Sequence, residues 1–103
     1  MLMKVNVQTL NFNAKENLLA FVEKRISKLE QFYDKIISAE VKLKQLPAGE
    51  RNKSVEMLLA VPGNEIVVKK VADSFEEAMD ENMKAAERQL KKYKQKQKSI
   101  QMK

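Results

Sequence analysis

Residues 55–80 read VEMLLAVPGNEIVVKKVADSFEEAMD, and a turn and a change of period within them set the fold. Val55, Met57, Leu59 and Val61 recur at every second position, the spacing of a strand with one buried face. Pro62-Gly63-Asn64 then predicts a tight turn, since proline presets a negative φ, glycine accepts a positive one and asparagine tolerates it. A return strand is expected over about residues 65–72. Its apolar run Ile66-Val67-Val68, followed by Lys69-Lys70, leaves its facing open. The period then lengthens to that of a helix. Ser74, or Asp73, is placed to cap it, with Glu77 or Glu76 as the respective capping-box partner. Phe75, Met79, Asn82, Met83, Ala86, Leu90 and Tyr93 form its inward stripe, in which Asn82 is the polar member.

Upstream of this stretch the same two periods return. Met3, Val5 and Val7 alternate with Lys4, Asn6 and Gln8 as a half-buried strand. Asn13, with Glu16 three residues on, predicts the start of a helix running to about Tyr33. Leu18, Phe21, Val22, Ile26, Leu29, Phe32 and Tyr33 share its apolar face. Ala39, Val41 and Leu43 alternate with Glu40, Lys42 and Lys44 as another strand, and LPAGERNK (46–53) reads as a loop. The order is βαβββα. A four-stranded sheet can bury one face under two helices and leave the other to water, so the expected fold is a two-layer α+β domain with both helices on one face. Residues 1–95 would form this single domain, and 96–103 a basic tail that frays.

Composition narrows the function. A chain of 103 residues suits one small domain. It has no cysteine and no histidine, so thiolate and imidazole chemistry are excluded and nothing favours catalysis, a metal or another cofactor. No uninterrupted apolar run is longer than the five residues Met57–Val61, against roughly 20 for a membrane span. Lys4 and Asn6 fall where a signal peptide needs its apolar centre, so a cytoplasmic protein is expected.

The net charge of +6 is unevenly spread. Residues 84–103 hold eight basic residues and one acid, Glu87, while the first 83 residues carry a net charge of −1. Lysines near a helix C-terminus complement its dipole, but that effect fades within a turn and uses two or three of them. Lys84, Arg88, Lys91, Lys92 and Lys98 span about 120° of the wheel opposite the apolar stripe, with Lys94 and Lys96 flanking the stripe. Such a face suits phosphate neutralisation. A solvated helix end is the plainer alternative. Membrane binding and a calmodulin-type target helix both lack the bulky apolar anchors they need. On the first helix, Lys24, Arg25 and Lys28 lie on one flank and Glu16, Glu23 and Glu30 on the other, which by itself only solvates the helix. The sheet's outer face lacks paired aromatics for stacking bases, so contact with phosphates and with shape is expected ahead of base readout.

The segments FVEKRISKLEQFYDKIISAEVKL (21–43), VPGNEI (61–66), SFEEAMD (74–80) and ERQLKKYKQK (87–96) resemble the ribosome hibernation-promoting factor and ribosome-associated inhibitor family, in order and over nearly the whole chain. The resemblance implies a non-enzymatic protein whose fold is similar to the double-stranded RNA-binding domain. It would bind small-subunit ribosomal RNA in the channel for messenger and transfer RNA, and block translation in slow growth or stress. It also implies that Arg25 and Lys28 of the first helix, and Arg88, Lys92, Lys94 and Lys96 of the second, contact RNA. Lys24, Lys84 and Lys91 lie on the same surfaces but match the family pattern less regularly. Ala85 stands where members often carry lysine, and the Lys69-Lys70 pair is more basic than members usually are there. The length fits a short member, monomeric away from the ribosome and with no small-molecule substrate or membrane partner. The other readings are a protein-interaction module regulating transcription and a general RNA-binding domain.

Overall fold

The computed structural model describes residues 4–10, 12, 15–47 and 52–101, with side chains as far as Gln95. The elements follow the order β1 (Lys4–Leu10), α1 (Glu16–Phe32), β2 (Ser38–Gln45), β3 (Lys53–Val61), β4 (Asn64–Ala72) and α2 (Phe75–Gln101). The strands form one sheet in the order β1-β2-β3-β4, with β1 parallel to β2 and the other neighbours antiparallel. A parallel neighbour needs a crossover, and α1 supplies it.

The β3–β4 hairpin settles the facing that the apolar run left open. Val61 pairs with Asn64, so the turn consists of Pro62 and Gly63 alone. The proline ring cannot reach the positive φ that type I′ and II′ turns need at their first central position. Gly63, with φ 76°, supplies the positive φ of a type II turn at the second. This pins Ile66 opposite Leu59 and Val68 opposite Met57, and all four are buried. A one-residue slip would expose Ile66 and Val68 and bury Lys69, so the register is firmly specified. Val67 points outward and is 54% exposed.

The core lies between the inner sheet face and the two helices. Ala39, Val41 and Leu43 of β2 and Val55, Met57, Leu59 and Val61 of β3 meet Val22, Ile26 and Leu29 of α1 and Met79, Met83, Ala86 and Leu90 of α2. Burying each large apolar side chain contributes about 1.5–3 kcal/mol against chain entropy. The edge strand β1 is less buried than its alternation predicts. Val7 packs against the core, but Val5 is 36% exposed. Met3 lies outside the described residues. On the outer face Lys42, Glu56 and Lys69 sit opposite one another across β2, β3 and β4, an alternation of charge that suits a solvated sheet.

The helix starts differ in their chemistry. Ser74 caps α2: its Oγ accepts from the Glu77 amide at 3.1 Å, which decides between it and Asp73. At α1 the N-cap position is Lys15, whose side chain makes no capping hydrogen bond, so the helix starts two residues later than the expected Asn13 cap. Asn13 itself lies outside the described residues, as do residues 48–51 of the predicted loop. The backbone of α2 is helical to Gln101.

Asn82 is fully buried at the heart of the α2 stripe. Its Nδ2 donates to the carbonyls of Val55 at 2.9 Å and Ala78 at 3.0 Å, tying α2 to β3, while its Oδ1 has no hydrogen-bond partner among the described residues.

Candidate nucleic-acid interface on the two helices

Contacts between the helices advance along both in the same direction. Near the start of α2, Asp80 forms an ion pair with Arg25. Near its end, Lys94 reaches the last residue of α1: its Nζ donates to the Phe32 carbonyl at 3.2 Å and stands 5.2 Å from the centroid of the Phe32 ring and 5.8 Å from that of Tyr33. The reason is local. The last turn of α1 has no basic residue of its own, and its terminal carbonyls carry partial negative charge. Lys94 supplies the missing cation from the neighbouring helix.

Two open cavities run between these anchor points. One, of about 320 Å³, is lined by Phe32, Lys84, Glu87, Arg88 and Lys91. The next, of about 410 Å³, is lined by Phe32, Lys91, Lys94 and Gln95. Phe32 and Lys91 belong to both, so the two are halves of one groove with cations along its α2 wall. On α1, Lys28 falls three residues after Arg25 and four before Phe32, so it neighbours both on the helix surface. Lys28 and Lys24 are exposed.

Of the residues expected at the interface, the structure brings Lys84, Arg88, Lys91 and Lys94 together along this groove, while Lys28 is exposed on α1 and lines neither half. Arg25 lies beside it, but its charge is paired with Asp80 and its guanidinium sits 5.2 Å from the centroid of the Phe21 ring. Lys92 borders a different cavity, shared with Asn64, Glu65, Ile66, Val67, Gln89 and Tyr93, on the side of α2 that faces β4. The backbone of Lys96 is part of α2, and its side chain lies outside the described residues. Lys69 stands on the outer sheet face, away from both helices. Sequence reasoning gave Phe32 only a core role. Its position at the very end of the apolar stripe, next to the basic flank, was the signal for a half-exposed ring.

Tyr33 and Tyr93 fix the helix ends against the hairpin. Their rings meet edge to face with centroids 5.9 Å apart, and the Tyr93 hydroxyl donates to the Pro62 carbonyl. Burial chiefly, then the charges of Tyr93 and Asp34 and a hydrogen bond with Tyr93, hold the Tyr33 phenol above its usual 10.0. Among the described residues, no cluster of acidic, histidine or cysteine side chains is placed to hold a metal, and no helix is long and apolar enough to cross a membrane.

Fold and groove together define a two-layer βαβββα domain with a cationic surface along its paired helices. The family described as "Sigma 54 modulation protein / S30EA ribosomal protein" matches residues 5–98, and the chain belongs to that family. It is similar to the ribosome hibernation promoting factor of Pseudomonas putida, with 30% identity over 98 residues, covering 95% of this chain and 93% of the relative. The corresponding protein of Azotobacter vinelandii is 33% identical over 100 residues, covering 92% and 86%. The ribosome hibernation promotion factor of Deinococcus radiodurans is 33% identical over 86 residues, which span 82% of this chain but 45% of that protein. Among solved structures, a ribosomal subunit interface protein from Coxiella burnetii superposes with a TM-score of 0.79 at 22% identity, covering 89% of this chain and 98% of the other. The N-terminal domain of Protein Y from Thermus thermophilus gives 0.75, also at 22% identity, covering 88% and 99%. These two likenesses establish the fold, and the family membership agrees with the resemblance carried by the sequence.

Proposed function

We propose that the protein is a ribosome-associated regulator of translation that binds small-subunit ribosomal RNA in the channel for messenger and transfer RNA. By occupying that channel it blocks translation in slow growth or stress, as a cytoplasmic protein that performs no catalysis and is monomeric off the ribosome. The observation that carries this reading is the convergence of Lys84, Arg88, Lys91 and Lys94 on one groove between the helices, in a chain of the S30EA family. Each cation set against a phosphate releases condensed counterions, so binding should weaken steeply as salt rises. Lys24, Lys28 and Lys96 would add contacts, Lys92 would engage RNA on the far side of α2, and Arg25 would have to leave Asp80 to contribute. Gradient sedimentation of a resting-cell lysate tests the reading. The protein should travel with small-subunit fractions at low salt, and its remaining at the top of the gradient would overturn the proposal.

The words "Sigma 54 modulation protein" in the family's description favour a second reading, a protein-interaction module acting in transcription. It predicts a saturable protein complex that survives nuclease treatment, whereas the ribosomal reading predicts that nuclease dissolves the association.

A further inference from the structure

Phe32 occupies an unusual place on the cationic surface. Among the described residues it is the one aromatic lining either half of the groove, and it is only partly buried although it packs against the core. Lys94 stands against it in the second half but does not line the first. In the first half the ring residue is bordered by Lys84, Arg88 and Lys91, which rise over about 10 Å of helix axis from Lys84 to Lys91. Phosphate contact alone has no use for an apolar floor. A surface that pairs such a floor with surrounding cations is complementary to a nucleotide, whose base has a π-face and whose two flanking phosphates are anionic. Glu87, the acid in the same cavity, would repel a phosphate but can accept a hydrogen bond from a base's exocyclic amine.

We propose that the first half of the groove takes one unpaired RNA nucleotide, its base stacked on Phe32 and its phosphates held by Lys84, Arg88 and Lys91. This rests on the ribosomal RNA reading and goes beyond it. A base in a duplex is stacked on its neighbours and cannot enter, so the groove selects single-stranded or bulged RNA.

The test compares binding of the full chain to a short oligocytidylate, to the same strand with abasic sites, and to a duplex, by fluorescence anisotropy at low salt. Wild-type protein should favour the intact single strand over the abasic one by about tenfold, the scale of one stacked base. Phe32→Leu keeps an apolar side chain and should abolish that preference, while Phe32→Tyr keeps the ring and should retain it. Lys84→Gln should weaken binding to the intact and abasic strands alike and leave their ratio unchanged. Equal wild-type affinity for intact and abasic strands would overturn the proposal, as would an unchanged preference in Phe32→Leu or no binding to any strand. Co-sedimentation of the wild type with small subunits reports separately on the ribosomal reading, so loss of base preference with ribosome binding intact removes only the stacking site.

Discussion

Lys94 shows how a single cation can serve the fold while lying on the proposed binding surface. It caps the carbonyl end of α1 and stands against two aromatic rings, so Lys94→Ala should lower stability by about 0.5–1 kcal/mol in urea melts. Lys91, for which only the groove gives a role, should weaken ribosome binding when changed to alanine and leave the melt within about 0.5 kcal/mol. Arg25 is held back by Asp80. Both side chains are partly exposed, at 34% and 44%, so the pair contributes little to stability. Its effect falls on binding: Asp80→Asn should release Arg25 and tighten RNA binding at low salt, which a titration would read directly. Tyr33 carries a pH signature. Its phenol loses its proton less readily in the folded than in the unfolded chain, so its contribution is fully present below pH 10.0 and is lost as the pH climbs beyond that value. Tyr33→Phe should flatten the alkaline limb of stability against pH.

The elements were legible in the sequence wherever one period held without interruption. The alternation of Val55, Met57, Leu59 and Val61, the turn at Pro62-Gly63 and the apolar stripe from Phe75 to Tyr93 all reappear as buried faces and a tight turn. The facing of β4 was open because three consecutive apolar residues carry no alternation, although the turn length contained the answer: two turn residues place Ile66 and Val68 on the face of Leu59 and Met57. The partnership of Lys94 with Phe32 spans 62 residues and was beyond any local pattern. The split between Lys92 and the Lys84–Arg88–Lys91 wall was equally hidden, because a helical wheel ranks angles and does not show which neighbour each flank meets. Two element-level predictions follow the local chemistry. Gly63→Ala should cost about 1 kcal/mol through its positive φ alone, since an added Cβ would meet no atom within 4 Å. Ser74→Ala should cost about 1 kcal/mol in thermal or urea unfolding by removing the α2 cap, and Ser74→Asp should retain it. Past Gln95 the lysines repel one another, so we expect amide exchange there to be faster than in the core turns of α2 and to slow as salt rises.

At the scale of the whole molecule, the sheet serves as a platform that holds two helices side by side, and the helices present the charge. The outer sheet face balances Lys42 and Lys69 around Glu56, while the excess of positive charge gathers at the end of α2 beside the end of α1. Membership of the S30EA family supports the ribosomal partner proposed for that surface. Purified small ribosomal subunits, centrifuged through a gradient with wild-type protein and with a Lys84→Glu, Arg88→Glu, Lys91→Glu variant, give the direct test of ribosome binding through the groove. These side chains are exposed, so the variant should keep the wild-type circular dichroism spectrum. Wild-type protein should co-sediment at low salt and be released as salt rises, while the folded variant should stay at the top of the gradient. A folded variant that co-sediments as the wild type does would contradict binding through the groove.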